Sequence, residues 1–202
     1  MGVRAAGLTP RGTRPLRLVL ILALVGAAGY TAIREGIDPG LGLRGGGDVP
    51  EGIPAQAQAG VVEKIVDGDT LWVRIDEPGG PLLANATHKI RLLEIDTPET
   101  VAPGRPIDCG GPQASAFAAR RMPVGSRVFL LADREDVDRY GRFLRYVWTE
   151  DGDFFNLDAV RTGHARAVLF APNDAYIEIM RAAEQRARSE RLGVWGAYCP
   201  SG

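Results

Sequence analysis

The chain has 202 residues, 45% of them hydrophobic and 24% charged, with 24 Lys plus Arg against 25 Asp plus Glu. That near-neutral balance excludes a basic coat that gathers polyanions by bulk charge, and only two Cys and two His exclude a zinc module built on repeated Cys and His pairs. The length suits one globular domain with something attached to it.

The attachment is N-terminal. Arg4, Arg11, Arg14 and Arg17 precede an uncharged run, LVLILALVGAAGYTAI at 18–33, after which Arg34 and Glu35 restore charge. The run reads as a membrane-directed helix: a transmembrane anchor lengthened by snorkelling arginines, or a signal segment cleaved near the small residues Ala27 and Gly29. In either case the arginine asymmetry predicts a cytoplasmic basic region at 1–17, with the remainder sent outside the membrane. The anchor gives a single-pass protein of the cell membrane, and cleavage gives a secreted one. Residues 34–59 repeat Gly and Pro without hydrophobic period and read as a flexible linker. The domain is expected over 60–199. Residues 60–202 carry 18 Lys plus Arg against 21 Asp plus Glu, so any polyanion must be held at a local site.

Along the domain, Val61–Val66 and Leu71–Ile75 are β-rich runs joined by Asp67-Gly68-Asp69-Thr70, a hairpin turn. A polar stretch, 76–87, leads to a third strand in IRLLEIDTPET at 90–100, completing a meander. Gln113–Met122 has helical spacing and stops at Pro123. Strands follow at Arg127–Leu131 and Phe143–Trp148, separated by the charged turn ADREDVDRYGR. A short helix at Leu157–Thr162 ends before Gly163, whose position suits a left-handed cap, and a last helix runs from about Pro172-Asn173-Asp174 to Arg191. Gly193 closes that helix, and Val194 and Trp195 fold back on the core. Five strands with a helix inserted after the third predict an α+β, β-rich fold: an OB-fold five-stranded barrel with about three helices. Cys109 and Cys199 lie outside these elements. In an exported domain they predict a disulfide, worth about 4 kcal/mol on chain-entropy grounds, with reduced bystanders the alternative.

The chemistry gathers at strand ends. Asp69 lies directly before one strand and Asp96 directly after its antiparallel neighbour, so both carboxylates reach one edge of the sheet, with Glu99 three residues on. Hard oxygen ligands of this kind suit Ca²⁺ or Mg²⁺. Arg91 sits inside an apolar strand, where burial demands an anion: a phosphate, or a structural partner such as Glu94, unless the side chain faces outward. Arg142, after Gly141 and just before a strand, reads either as a second cation entering from another side or, taken alone, as an ordinary solvated strand-edge Arg. His88 and His164 lack a visible partner and read as surface or cap residues. Trp72, Trp148 and Trp195 read as packing.

The segments VDGDTLWV (66–73), IRLLEIDTPET (90–100), GPQASAFAARRM (111–122), DRYGRFLRYVW (138–148), NLDAVRTGHARA (156–167) and PNDAYIEIMRAAEQRARSERLGVW (172–195) occur in the order found in the staphylococcal nuclease, or thermonuclease, family, which this chain resembles over nearly the whole domain. The resemblance implies that Asp69 and Asp96 bind Ca²⁺ through side chains and Thr97 through its carbonyl. It implies that Glu99 directs the attacking water and that Arg91 and Arg142 hold the phosphate. Arg139 and Tyr140 are similar to substrate-contacting positions, and the substrate would be DNA or RNA cut with little sequence preference. Val168 and Phe170 depart from the pattern, standing near where the family's best-known member has two tyrosines beside the base. The other reading of the same fold is a catalytically inactive OB-like module that binds nucleic acid or protein. Degenerate modules of that kind lack some of the carboxylates or arginines, whereas Asp69, Arg91, Asp96, Glu99 and Arg142 are all present here.

Overall fold

The computed structural model describes Gly2 and residues 51–77, 82–100, 106–196 and 198–199. The membrane-directed run at 18–33 and the linker up to residue 50 lie outside the described residues. Among those described, no helix is long and apolar enough to cross a membrane.

Strands β1 (Gln58–Ile65), β2 (Thr70–Ile75) and β3 (Thr87–Leu92) form the expected meander, with Val62, Leu71, Val73, Ile75, Ile90 and Leu92 buried in the barrel. β1 begins inside the stretch read as linker, because Gln58 and Ala59 already pair with Leu130 and Phe129. After a two-residue β4 (Ile95–Asp96) comes helix α1 (Gly111–Arg121). β5 (Arg127–Leu131) and β6 (Phe143–Thr149) follow, and then α2 (Phe155–Arg161), a two-residue β7 (Arg166–Ala167) and α3 (Ile177–Ser189). The barrel order is β1-β2-β3-β6-β5, closed by β5 pairing back onto β1. Neighbours are antiparallel except β3 and β6, which run parallel. This is a five-stranded closed barrel with three helices, an α+β arrangement of OB type.

The third strand departs from expectation in an informative way. A continuous strand over IRLLEI would alternate inward and outward, yet Leu92 and Leu93 are both fully buried, which breaks the period of two. The chain turns at Leu93-Glu94, with Glu94 at φ 59, and resumes as β4, which pairs with β7. The turn is fastened from several sides. Leu93 N–H donates to the Arg145 carbonyl at 2.9 Å, and the Val168 N–H to the Glu94 carbonyl at 3.0 Å. Asn156 on α2, fully buried, donates its amide to the Leu93 carbonyl at 2.8 Å and accepts the Val147 N–H at 2.9 Å. The buried Glu94 carboxylate accepts from Tyr146 Oη at 2.6 Å and from the Tyr176 N–H at 3.2 Å, and burial pushes its pKa up to about 7.

The helices shift by a few residues. α1 and α2 each begin two residues earlier than their patterns suggest, with Pro112 in the first turn of α1 and buried Phe155 opening α2. α3 begins later, at Ile177, because buried Asn173 is committed elsewhere: its amide accepts the Glu135 N–H at 2.7 Å and donates to the Glu135 carbonyl at 3.1 Å. Gly163 adopts the left-handed conformation, φ 74. Val194 is buried and Trp195 half-buried, the latter under the Arg188 guanidinium at 4.0 Å. Trp148 is wholly buried and stacks on Phe154 at 4.5 Å. His164 is buried too, stacked on Phe117 at 4.3 Å with Nδ1 2.9 Å from Thr162 Oγ1.

Two outcomes follow. Removing the Asn156 amide in Asn156→Ala leaves a buried N–H and carbonyl unmatched, and should lower stability by about 2 to 4 kcal/mol in urea unfolding. Burial, then the nearby Arg120 charge, hold His164 below its ordinary pKa of 6.5. The unfolded chain therefore takes up a proton that the folded one refuses. Stability should fall as pH drops below that ordinary value toward the lowered folded one, and His164→Gln should remove that part of the slope in melting curves.

Candidate active site

Four elements meet at one end of the barrel. The β1–β2 turn is closed by the Val66 N–H on the Thr70 carbonyl at 2.9 Å, and places Asp69 opposite the end of β3, where the Leu92 N–H bonds the Asp69 carbonyl at 2.9 Å. Asp69 is 6% exposed. Its Oδ1 accepts from Thr70 Oγ1 at 3.0 Å, and its Oδ2 accepts from the Thr97 N–H at 2.8 Å and Thr97 Oγ1 at 3.0 Å. Asp69 thus fastens the segment after β4 onto the first hairpin. Gly68 permits the approach, since a Cβ there would lie 2.7 Å from Thr97 Cγ2.

Arg91 is buried at 5% exposure and is neither outward-facing nor paired with Glu94. Nη1 donates to the carbonyls of Leu92 and Ile95 at 2.6 and 2.7 Å, Nη2 donates to Asp96 Oδ1 at 2.9 Å, and Nε lies 3.3 Å from Asp69 Oδ1. The guanidinium therefore closes the 93–94 turn and bridges the two carboxylates, with Phe170 packed 5.1 Å from it. Asp96 itself is exposed, and its backbone pairs with Arg166.

Arg142 enters on the turn before β6. Asp138 accepts from both its backbone N–H, at 2.9 Å, and its Nε, at 2.7 Å, so the guanidinium is aimed by a residue four positions earlier. Burial pushes the Asp138 carboxyl up, but hydrogen bonds from Arg142 and Tyr140 outweigh it and hold the pKa below the ordinary carboxylate range. Arg139 and Tyr140 are exposed on the same turn, bonded to each other at 2.7 Å, and lie outside the lining of the cleft.

The cleft so formed has a volume of about 220 Å³ and is lined by Asp67, Asp69, Thr70, Arg91, Asp96, Thr97, Glu99 and Arg142. Six of these were singled out by sequence. Asp67 and Thr70 read in the sequence only as turn residues, and Asp138 only as part of a charged turn. An Asp four residues before an Arg, across a Gly turn, was the available signal for Asp138. Four carboxylates face two guanidiniums. Burial first, then the charges of Asp69 and Glu99, push Asp67 up to about 6. Asp96 is also raised: although exposed, it loses part of its water at the cleft, and that acts most, with Arg91 pulling the other way and Asp69 and Glu99 adding to the rise. Crowded like charges of this kind call for a cation. The donors are carboxylate and carbonyl oxygens, which fit a hard divalent ion such as Ca²⁺. Among the described residues no three His, Cys, Asp or Glu side chains form a ready-made cage, so water or substrate would complete such a shell.

Residues 89–197 match the family model described as staphylococcal nuclease homologue. The chain belongs to the staphylococcal nuclease family. It is 38% identical over 135 residues to the thermonuclease of Staphylococcus intermedius, covering 67% of this chain and 74% of that protein. It is 35% identical over 141 residues to the thermonuclease of Staphylococcus hyicus, covering 70% and 78%. Endonuclease YhcR of Bacillus subtilis (strain 168) is 31% identical over 148 residues, 70% of this chain but 12% of that protein. Membership makes the chain a hydrolase of the nuclease class. The family match begins at Lys89, so Asp67 and Asp69 lie before it; Asp69 is bound into the nuclease cleft through Arg91 and Thr97, and Asp67 accepts the Asp69 N–H at 3.0 Å.

Because Asp138 aims Arg142, Asp138→Ala should slow nucleic-acid digestion about 10- to 100-fold by misplacing the guanidinium. An undiminished rate would show that Arg142 needs no such support.

Proposed function

We propose that the chain is a Ca²⁺-dependent nuclease that hydrolyses phosphodiester bonds of DNA or RNA with little sequence preference, outside the cytoplasmic membrane. The observation that carries this reading is the meeting of four carboxylates and two guanidiniums in one small cleft at the barrel's end. The names of the relatives support the nuclease chemistry, and the arginine-flanked run at 18–33 supports export, either anchored or cleaved.

Asp69 and Asp96, with the Thr97 carbonyl, would hold Ca²⁺, which when bound polarises a phosphoryl oxygen as a Lewis acid. Arg142 presents a preset guanidinium to the phosphate, where negative charge grows as the bond to water forms. Arg91 has five N–H donors; among the described residues three are hydrogen-bonded and Nε lies 3.3 Å from Asp69 in an ion pair, leaving one Nη2 hydrogen for a phosphoryl oxygen. Glu99, exposed at the cleft, takes the proton from the attacking water as general base. The departing oxygen is protonated from solvent. Arg139 and Tyr140, at the rim, contact the sugar–phosphate backbone, and readout of the backbone alone accounts for low sequence preference. Phe170 is half-buried against Arg91, and Val168 cannot stack on a base, so base contacts add less here than two tyrosines would.

The test is digestion of single-stranded DNA by the full-length protein with Ca²⁺ and with chelator. Chelation should stop cutting, and Glu99→Gln and Arg142→Ala should each slow it roughly 10²- to 10⁴-fold. Ca²⁺ should also raise the melting temperature of the wild type and not that of Asp96→Asn. Unimpaired cutting in chelator would overturn the metal assignment, and unimpaired cutting by both variants would overturn the catalytic one.

A further inference from the structure

We propose that Asp108 is a positioning residue for Glu99, kept in place by a disulfide between Cys109 and Cys199. The inference rests on the reading of Glu99 as the carboxylate that addresses water. Glu99 stands on an irregular, exposed segment after β4, with Asp67, Asp69 and Asp96 lining the same cleft. Like charges crowd this cleft, so the placement of Glu99 depends on how its segment is held. Its backbone is gripped twice by one residue: the Glu99 N–H donates to Asp108 Oδ2 at 3.2 Å, and the Asp108 N–H donates to the Glu99 carbonyl at 3.0 Å. The Thr100 N–H then turns Glu99 Oε1 back along its own segment at 3.0 Å. Asp108 lies outside the lining of that cleft, though with Asp96 and Thr97 it lines the adjoining one, and its two bonds to Glu99 both reach the backbone.

Asp108 is exposed and does not hold itself. Its carbonyl accepts the Gly111 N–H at 3.0 Å, where the chain turns into α1. Gly111 packs so close that a Cβ would come 2.9 Å from the Glu99 carbonyl oxygen. The next residue, Cys109, is bonded to Cys199, 90 residues later, with the two Cα atoms 5.7 Å apart. The segment before Cys199 is fixed to the domain: the Tyr198 N–H bonds the Gly193 carbonyl at 2.9 Å, and buried Val194 donates its N–H to the Gly163 carbonyl at 2.9 Å. A continuous line of covalent and hydrogen bonds thus runs from the core through Cys199, Cys109 and Asp108 to Glu99. A tether fixed at one end of that line makes the other end stiff.

Steady-state cleavage by full-length variants tests this. Asp108→Ala should lower kcat about 10- to 100-fold with KM unchanged, the size expected for a misplaced catalytic group. Asp108→Asn, whose amide oxygen still accepts from the Glu99 N–H, should recover most of that loss. The double variant Cys109→Ser/Cys199→Ser should lower kcat in the same way. In a Glu99→Gln background neither change should reduce the remaining rate further, because the group being positioned is already lost. A kcat loss of the same size in that background, a rise in KM alone, or wild-type kcat in Asp108→Ala would each overturn the proposal. Wild-type cutting by Glu99→Gln would instead overturn the role of Glu99, and this inference with it.

Discussion

Arg91 carries a full charge at 5% exposure, and an ion buried so deeply would cost several kcal/mol if its donors found no acceptors. They find four, drawn from three pieces of chain: Asp69 in the first hairpin, the Leu92 and Ile95 carbonyls around the 93–94 turn, and Asp96 beyond it. One guanidinium therefore sets the bend that ends β3 and the separation of the two carboxylates it bridges. Asn156 and Glu94 brace the same bend from the helical side, so the core and the cleft share a boundary at two residues.

The barrel would be more comfortable with fewer acids at its mouth. Asp67, Asp69, Asp96 and Glu99 crowd one cleft, although buried Arg91 calls on only Asp69 and Asp96 of the four. A local conflict of this kind, maintained against stability, is expected where a fold carries chemistry. Arg142 shows the complementary device. It is held by Asp138 before any ligand arrives, so its orientation need not be found during the reaction.

Much of this was legible beforehand because it rests on local periodicity. The five barrel strands follow from alternating apolar runs, and antiparallel geometry brings Asp69 to the end of β3, while the 93–94 turn carries Asp96 back to that edge. What was hidden rests on partners distant in sequence. The double burial of Leu92 and Leu93 marked a turn, but its cause, Tyr146, Tyr176 and Asn156, lies more than fifty residues away. The late start of α3 was hidden for the same reason, since Asn173 resembles an ordinary cap until Glu135 is placed beside it. Arg91 was correctly marked as needing an anion, while the identity of its partners required the register of β2 against β3.

The one parallel contact in the barrel bears on how the cleft comes into being during synthesis. β3 has β2 on one side, but its other neighbour, β6, begins 51 residues after β3 ends. A nascent chain that ends at residue 130 carries all four carboxylates, yet it lacks Arg142, the strand that completes the wall and the Tyr146, Asn156 and Tyr176 that fasten the 93–94 turn. Ribosomes deliver residues in order, and long-range pairings wait for the later partner. The acidic residues are thus delivered first, and the cation and the wall that complete the cleft come later, so a partial translation product has no working centre.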